Sequence, residues 1–164
     1  MSLRKGGVIY YKKHPDSNNK LKMKLDNVKF INNYAQDSGA GLYYESDNFN
    51  LEFNNIDVKS NTGKFSNSFA EIIGTSRHKE TLKITNCRFS NNLALKGDSL
   101  LTLKGMSTTI LDSVFSDNAA VGISNALRFV NTERAPNMYV LMERNKFSND
   151  GNPKRSGSFI HGGV

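Results

Sequence analysis

One motif returns along this chain at irregular intervals. It is an apolar anchor followed by two asparagine-like residues. Phe30 leads into Asn32 and Asn33, Val58 into Ser60 and Asn61, and Phe89 into Asn91 and Asn92. Phe115 leads into Asp117 and Asn118, and Phe147 into Asn149 and Asp150. Successive anchors are unevenly spaced. A repeat period of roughly 20–50 residues is the mark of a solenoid, a propeller or an array, because a single such unit cannot bury its apolar face alone. Five copies of one unit therefore exclude most folds before any local pattern is read.

The flanks of the motif repeat with it. A small residue stands five positions after the anchor at Ala35, Gly63, Ala94 and Ala120. Before the anchor come the pairs Met23 and Leu25, Leu51 and Phe53, Leu82 and Ile84, Thr108 and Ile110, and Val140 and Met142. These pairs alternate with polar residues, the period of a strand with one buried face. Two positions before the anchor stand Val28, Ile56, Cys87, Ser113 and Asn145, which with the anchor form another short alternating strand. A further apolar strand opens near Leu42, Ile72, Leu101, Leu127 and Ile160, with an earlier copy at Val8 and Ile9. Asn, Ser, Gly and Asp fill the turns between, as suits backbone that bends sharply. No segment carries a helical apolar face.

Three short strands per period without helices describe a chain that winds as a coil, with equivalent strands pairing in parallel. The expected fold is all-β, a parallel β-helix of about five to six three-strand coils, forming a single domain over residues 1–164. Like residues then stack on like residues about 4.8 Å apart. Phe30, Val58, Phe89, Phe115 and Phe147 are the expected core column. Asn33, Asn61, Asn92 and Asn118 are expected to form a ladder bonded side chain to side chain at one bend, as amides do in cross-β stacks. In the outward row, Lys24, Glu52 and Lys83 alternate in sign, as neighbouring strands prefer.

Phe-x-x-Asn at Phe30–Asn33, Phe89–Asn92 and Phe115–Asn118, with Gly-Gly-Val-Ile at 6–9, resembles the repeats of chlamydial polymorphic membrane proteins. The pattern is also similar to the asparagine-rich surface repeat proteins of ciliates. Both resemblances imply a right-handed, pectate-lyase-like β-helix. They also imply an extracellular or cell-surface setting. The chain enters and leaves midway through a repeat, so it reads as a piece of a longer solenoid.

Chemistry is harder to find. A lone cysteine, Cys87, falls in an inward position and reads as a small buried hydrophobe. His14, His78 and His161 fall in unrelated contexts without metal-ligand spacing, and are expected in exposed loops. Asp112 aligns with Asn27, Asn55 and Asn86, and Asp117 with Asn32 and Asn91, so both read as turn substitutions and not as a catalytic carboxylate pair. Catalytic residues, cofactors and metals are accordingly not expected. No run reaches the roughly 20 apolar residues of a membrane span.

Charge is concentrated at one end. The chain carries 22 Lys and Arg against 15 Asp and Glu. The stretch 1–30 holds Arg4, Lys5, Lys12, Lys13, Lys20, Lys22, Lys24 and Lys29 against only Asp16 and Asp26. Lys12, Lys13, Lys20, Lys22 and Lys24 are the candidate polyanion site, fit for an acidic polysaccharide; no nucleic-acid recognition module accompanies them. None of the 21 asparagines begins a glycosylation sequon, where chance would give roughly three. That absence suits a bacterial surface or an intracellular eukaryotic assembly. The functional expectation is a structural or adhesive segment of a larger surface or assembly protein, joined to neighbouring coils or subunits. The alternatives are a fragment of a carbohydrate-active lyase or hydrolase, and a scaffold subunit of a large eukaryotic complex.

Overall fold

A computed structural model describes residues 7–14, 20–65, 67–75, 80–97, 99–122, 124–132, 138–149 and 159–163. Among them the chain is all β and winds as a parallel β-solenoid. The first coil holds β1 (Ile9–Lys12), β2 (Leu21–Asp26), β3 (Lys29–Ile31) and β4 (Tyr34–Ala35). The second holds β5 (Leu42–Ser46), β6 (Phe49–Asn54), β7 (Asp57–Lys59) and β8 (Thr62–Gly63). The third holds β9 (Ala70–Gly74), β10 (Thr81–Thr85), β11 (Arg88–Ser90) and β12 (Leu93–Ala94). The fourth holds β13 (Leu101–Lys104), β14 (Ser107–Leu111), β15 (Val114–Ser116) and β16 (Ala119–Ala120). A fifth follows with β17 (Leu127–Val130), β18 (Val140–Glu143) and β19 (Lys146–Ser148), and β20 (Ile160–Gly163) begins another.

Equivalent strands pair in parallel into four sheets that run the length of the rod. About four full turns are thus present, each with four strands in place of the expected three. The additional sheet is β4, β8, β12 and β16. Each of its strands is a single pair of residues, too short for an alternating pattern to register in sequence.

The anchors pair in one continuous row: Phe30 with Val58, Val58 with Phe89, Phe89 with Phe115, and Phe115 with Phe147. The first four are almost fully buried and Phe147 is half-buried. The Phe89 and Phe115 rings lie parallel with centroids 4.7 Å apart, and Phe115 and Phe147 repeat this at 4.8 Å. The stack keeps the strand spacing along the axis. Phe69 enters from the link before β9 and meets Phe30 edge to face at 5.1 Å, filling the space that Val58 leaves. Cys87 is buried in the adjoining row between Ile56 and Ser113, and burial pushes its thiol pKa up.

The asparagines make the bends. Asn27, Asn55, Asn86, Asp112 and Arg144 all hold φ between 51° and 56°, and so form one left-handed corner repeated in five coils. Asn32, Ser60, Asn91 and Asp117, at φ of 54° to 56°, form the next. Asn and Asp tolerate this region because their short polar side chains bond locally. The shared corner is why aspartates at 112 and 117 align with asparagines elsewhere. Arg144 breaks the composition. Its guanidinium grips Asp112 with Nε to Oδ1 at 2.6 Å and Nη2 to Oδ2 at 2.9 Å, which lowers the Asp112 pKa.

The row just inside the second corner is the ladder. Asn33 Nδ2 donates to Asn61 Oδ1 at 2.8 Å, Asn61 Nδ2 to Asn92 Oδ1 at 2.9 Å, and Asn92 Nδ2 to Asn118 Oδ1 at 2.8 Å. The same Oδ1 atoms accept the main-chain N–H groups of Asn33, Asn61 and Asn92. The Nδ2 atoms of Asn61, Asn92 and Asn118 also donate back to the preceding coil, at Phe30 O, Val58 O and Phe89 O. Every amide hydrogen and lone pair of Asn61 and Asn92 is thereby used in a buried site. Asp150, Arg4, Lys5 and His78 lie outside the described residues.

The irregular period has a single source. The first strand of the next coil keeps a constant offset from the anchor in four successive coils: Leu42 after Phe30, Ala70 after Val58, Leu101 after Phe89 and Leu127 after Phe115. Those coils differ only between their first and second strands. The connections there are 13–20, 47–48, 75–80, 105–106 and 131–139, so long and short ones alternate.

Two variants test this core by urea denaturation. Phe89→Ala removes a ring between Val58 and Phe115 and should cost about 3–5 kcal/mol. Asn92→Leu strands the buried Asn61 N–H and breaks the amide chain between Asn61 and Asn118, and should cost about 1–3 kcal/mol. A loss below about 0.5 kcal/mol for both would mean the stacks carry little of the stability.

Candidate functional site

The face with most chemistry is the outer side of the sheet formed by β1, β5, β9, β13, β17 and β20. Inward residues of these strands, such as Leu42 and Tyr44, fill the core. The outward row runs Tyr10, Tyr43, Glu71, Thr102, Arg128 and His161 in register. It does not stay open. Ser38, Asn67 and Ser99, on the links that precede β5, β9 and β13, bond to Glu71 and Thr102 of this row, and Tyr43 and Thr102 are buried although they point away from the core.

Tyr10 and Tyr43 stack with centroids 5.3 Å apart, and Tyr10 remains half-exposed at 54%. Tyr43 Oη donates to Glu45 Oε2 at 2.6 Å, and Lys12 Nζ sits 3.2 Å from Glu45 Oε1. Burial, then the Glu45 carboxylate, raises the Tyr43 pKa well above the usual phenol range. One coil on, Glu71 accepts from Ser38 Oγ and from Lys104 Nζ, the latter at 2.7 Å. Beyond it Asn67 Oδ1 accepts from Thr102 Oγ1 at 2.6 Å and Ser99 Oγ at 3.1 Å. The carboxylates of this face are thus each held by a hydroxyl and an ammonium. Such bonds fix links onto a sheet; they occupy the oxygens that a general acid or base would need.

No local pattern in the sequence marks this network. Ser38 and Lys104 reach Glu71 from the coils on either side of it. Only the constant length of the links hints that they are clasped. His161 also departs from expectation. It is exposed, but it lies on β20 opposite Arg128 and not in a loop.

The candidate polyanion lysines are brought to the first coil but do not form one cluster of bare cations. Lys12 pairs with Glu45, Lys13 Nζ with Asp47 Oδ1, and Lys24 with Asp26 at 3.2 Å. The Asn54 amide and then Lys24 hold the Asp26 carboxyl below the usual range. Lys24 also lies in register with Glu52. Lys20 is exposed and Lys22 points outward from β2 beside Asn50. Parallel pairing places acids of the second coil beside lysines of the first, which local charge counting misses. A small cleft at the same corner is lined by Lys13, His14, Glu45, Ser46, Asp47 and Thr75.

The described residues hold no group of three or more His, Cys, Asp or Glu arranged to bind a metal ion. No helix among them is long and apolar enough to cross a membrane. Comparisons with protein-family models, curated proteins and solved structures return no match.

The clasp predicts a coupled pair. Lys104→Met leaves the Glu71 carboxylate, 9% exposed, with Ser38 as its remaining bonded partner, and should cost about 1–3 kcal/mol. Adding Glu71→Gln should recover part of that loss. A double-mutant cycle by chemical denaturation measures the coupling, and strict additivity would show the two side chains to be independent.

Proposed function

We propose that this chain is a non-enzymatic, pectate-lyase-like β-helical rod, a structural or adhesive segment of a larger surface or assembly protein. The observation that supports it best is the axial continuity of the ladder Asn33–Asn61–Asn92–Asn118 beside the anchor column. Buried amides with every bond used resist bending and fraying, and that suits a spacer more than a site that must move. Right-handed winding and an extracellular or cell-surface setting belong to this reading through the resemblance of the repeats. An assembly within a eukaryotic cell would use the same rod.

A carbohydrate-active role is the second reading. It is favoured by Tyr10 stacked on Tyr43 beside Glu45, since exposed aromatic rings and carboxylates suit sugars. It is weakened by the Lys12, Tyr43, Ser38 and Lys104 contacts that occupy Glu45 and Glu71. The deciding assay incubates the chain with polygalacturonate and other acidic polysaccharides, with and without calcium. No unsaturated product and no new reducing ends are expected. Turnover that disappears in Glu45→Gln or Glu71→Gln would overturn the rod reading in favour of an enzyme.

An adhesive contact with an acidic polysaccharide would rest on Lys20 and Lys22, because Lys12, Lys13 and Lys24 already face carboxylates. Retention on heparin should be weak and should vanish toward physiological salt. Lys20→Gln with Lys22→Gln should lower the elution salt more than Lys12→Gln with Lys13→Gln. Equal elution of both variants and wild type would remove the polyanion site.

A further inference from the structure

The short fourth sheet differs from the other faces of the rod. Its outward row is Tyr34, Thr62, Leu93 and Ala119. Parallel hydrogen bonding continues one step further, with Lys64 N donating to Ala35 O, Leu95 N to Gly63 O and Val121 N to Ala94 O. A second outward row therefore begins at Lys64, Leu95 and Val121. On this face Tyr34 is 44% exposed, Leu93 38%, Leu95 44%, Phe65 45% and Val121 76%. Neither row contains a carboxylate, and Asp37, in line with Phe65 and Lys96 one step further on, is half-buried. The neighbouring faces alternate in sign, as in Lys24, Glu52 and Lys83, or neutralise themselves, as in Glu71 with Lys104.

The cations on this face are placed with its apolar groups. Lys64 Nζ lies 5.0 Å and Lys96 Nζ 5.6 Å from the centroid of the Phe65 ring. A half-exposed ring flanked by two ammonium groups offers an apolar body and a charged rim at one level. Exposed apolar side chains in contiguous rows mark an interaction surface, because water gains when they are covered. Their arrangement across three coils is an open row on a sheet of very short strands, and the basic rim selects a negatively charged partner.

We propose that this face, centred on Phe65, Leu95 and Val121 with Lys64 and Lys96, docks on an anionic lipid surface, with the rod lying along it. A plane of headgroups with apolar chains beneath takes both components at once. Half-exposed Phe, Leu, Val and Tyr side chains enter the boundary, and the lysines meet the negative potential of an anionic leaflet. The inference goes beyond the rod reading and does not depend on whether the chain is an enzyme.

Co-sedimentation of the full chain with vesicles tests it. Phosphatidylcholine vesicles with about 30% phosphatidylserine should carry the protein down at low salt, and phosphatidylcholine alone should carry little. Phe65→Ser, Leu95→Ser and Val121→Ser together should lower the bound fraction about tenfold or more. Lys64→Gln with Lys96→Gln should remove the preference for phosphatidylserine. Lys12→Gln with Lys24→Gln, lysines of the first coil that already face carboxylates, should leave binding in place. Val121→Ser alone, at the most exposed of these positions, should weaken binding with an unchanged melting curve, which separates a lost contact from a lost fold. The proposal is overturned if the wild type stays in the supernatant with anionic vesicles. It is equally overturned if the first-coil variant alone abolishes binding, or if an acidic peptide binds this face and vesicles do not.

Discussion

Everything in this molecule depends on coils staying in register at the strand spacing, and the asparagine ladder is where that register is enforced. After the left-handed corner one main-chain N–H per coil leaves the sheet pairing and turns toward the interior. Left unmade, such a buried group would cost about 1–3 kcal/mol. One amide per coil supplies its partner. Asn92 Oδ1 accepts from the N–H of Asn61, and Asn92 Nδ2 adds a second bond to the Val58 carbonyl, which already belongs to the β7–β11 ladder, so one side chain serves two main-chain groups of the coil before it. A coil slipped by one residue would put a different side chain where the amide belongs, so the ladder and the Phe89–Phe115–Phe147 stack select the same register independently.

The same logic explains where the chain is free to vary. The outward position at the first corner accepts Asn, Asp and even Arg, provided the left-handed φ is stabilised; Arg144 meets that condition through Asp112. The inward row two positions before the anchor changes character along the rod. Val28 and Ile56 are apolar, whereas Ser113 Oγ accepts from Cys87 N at 3.1 Å and Asn145 Oδ1 accepts from Ser113 N at 2.9 Å. A second, shorter polar ladder thus takes over from hydrophobic packing in the later coils. Either chemistry serves, because the row needs groups that match their neighbours above and below and not any one residue.

This dependence on vertical neighbours sets what was legible in the sequence. The anchors and Asn33, Asn61, Asn92 and Asn118 could be read because each row repeats its own residue type at a fixed place in the coil. The β4, β8, β12 and β16 strands could not, since a single pair of residues gives no alternation. Nor could the partners of the lysines. Lys12 meets Glu45 and Lys13 meets Asp47, each on the following coil. That pairing depends on the length of the connection at 13–20, which belongs to no repeat. The Ser38–Glu71–Lys104 clasp failed to show for the same reason: its members sit on links and outer rows whose composition is free as long as each finds a partner in the next coil.

The varying connections all lie on one side of the coil. The long ones, 13–20, 75–80 and 131–139, belong to the first, third and fifth coils, and the two coils between them have only 47–48 and 105–106 at that place. The anchor column and the asparagine ladder lie elsewhere in the coil, on the second corner and the strand before it. An extra residue there would turn an inward side chain outward and break a stack with the coils above and below. Between the first and second strands no such stack runs, and lengthening a loop costs little in closure entropy. The uneven anchor spacing that first marks the repeat as irregular therefore follows from free variation at one place, while the remaining sides of the first four coils, held by vertical stacks, keep constant length.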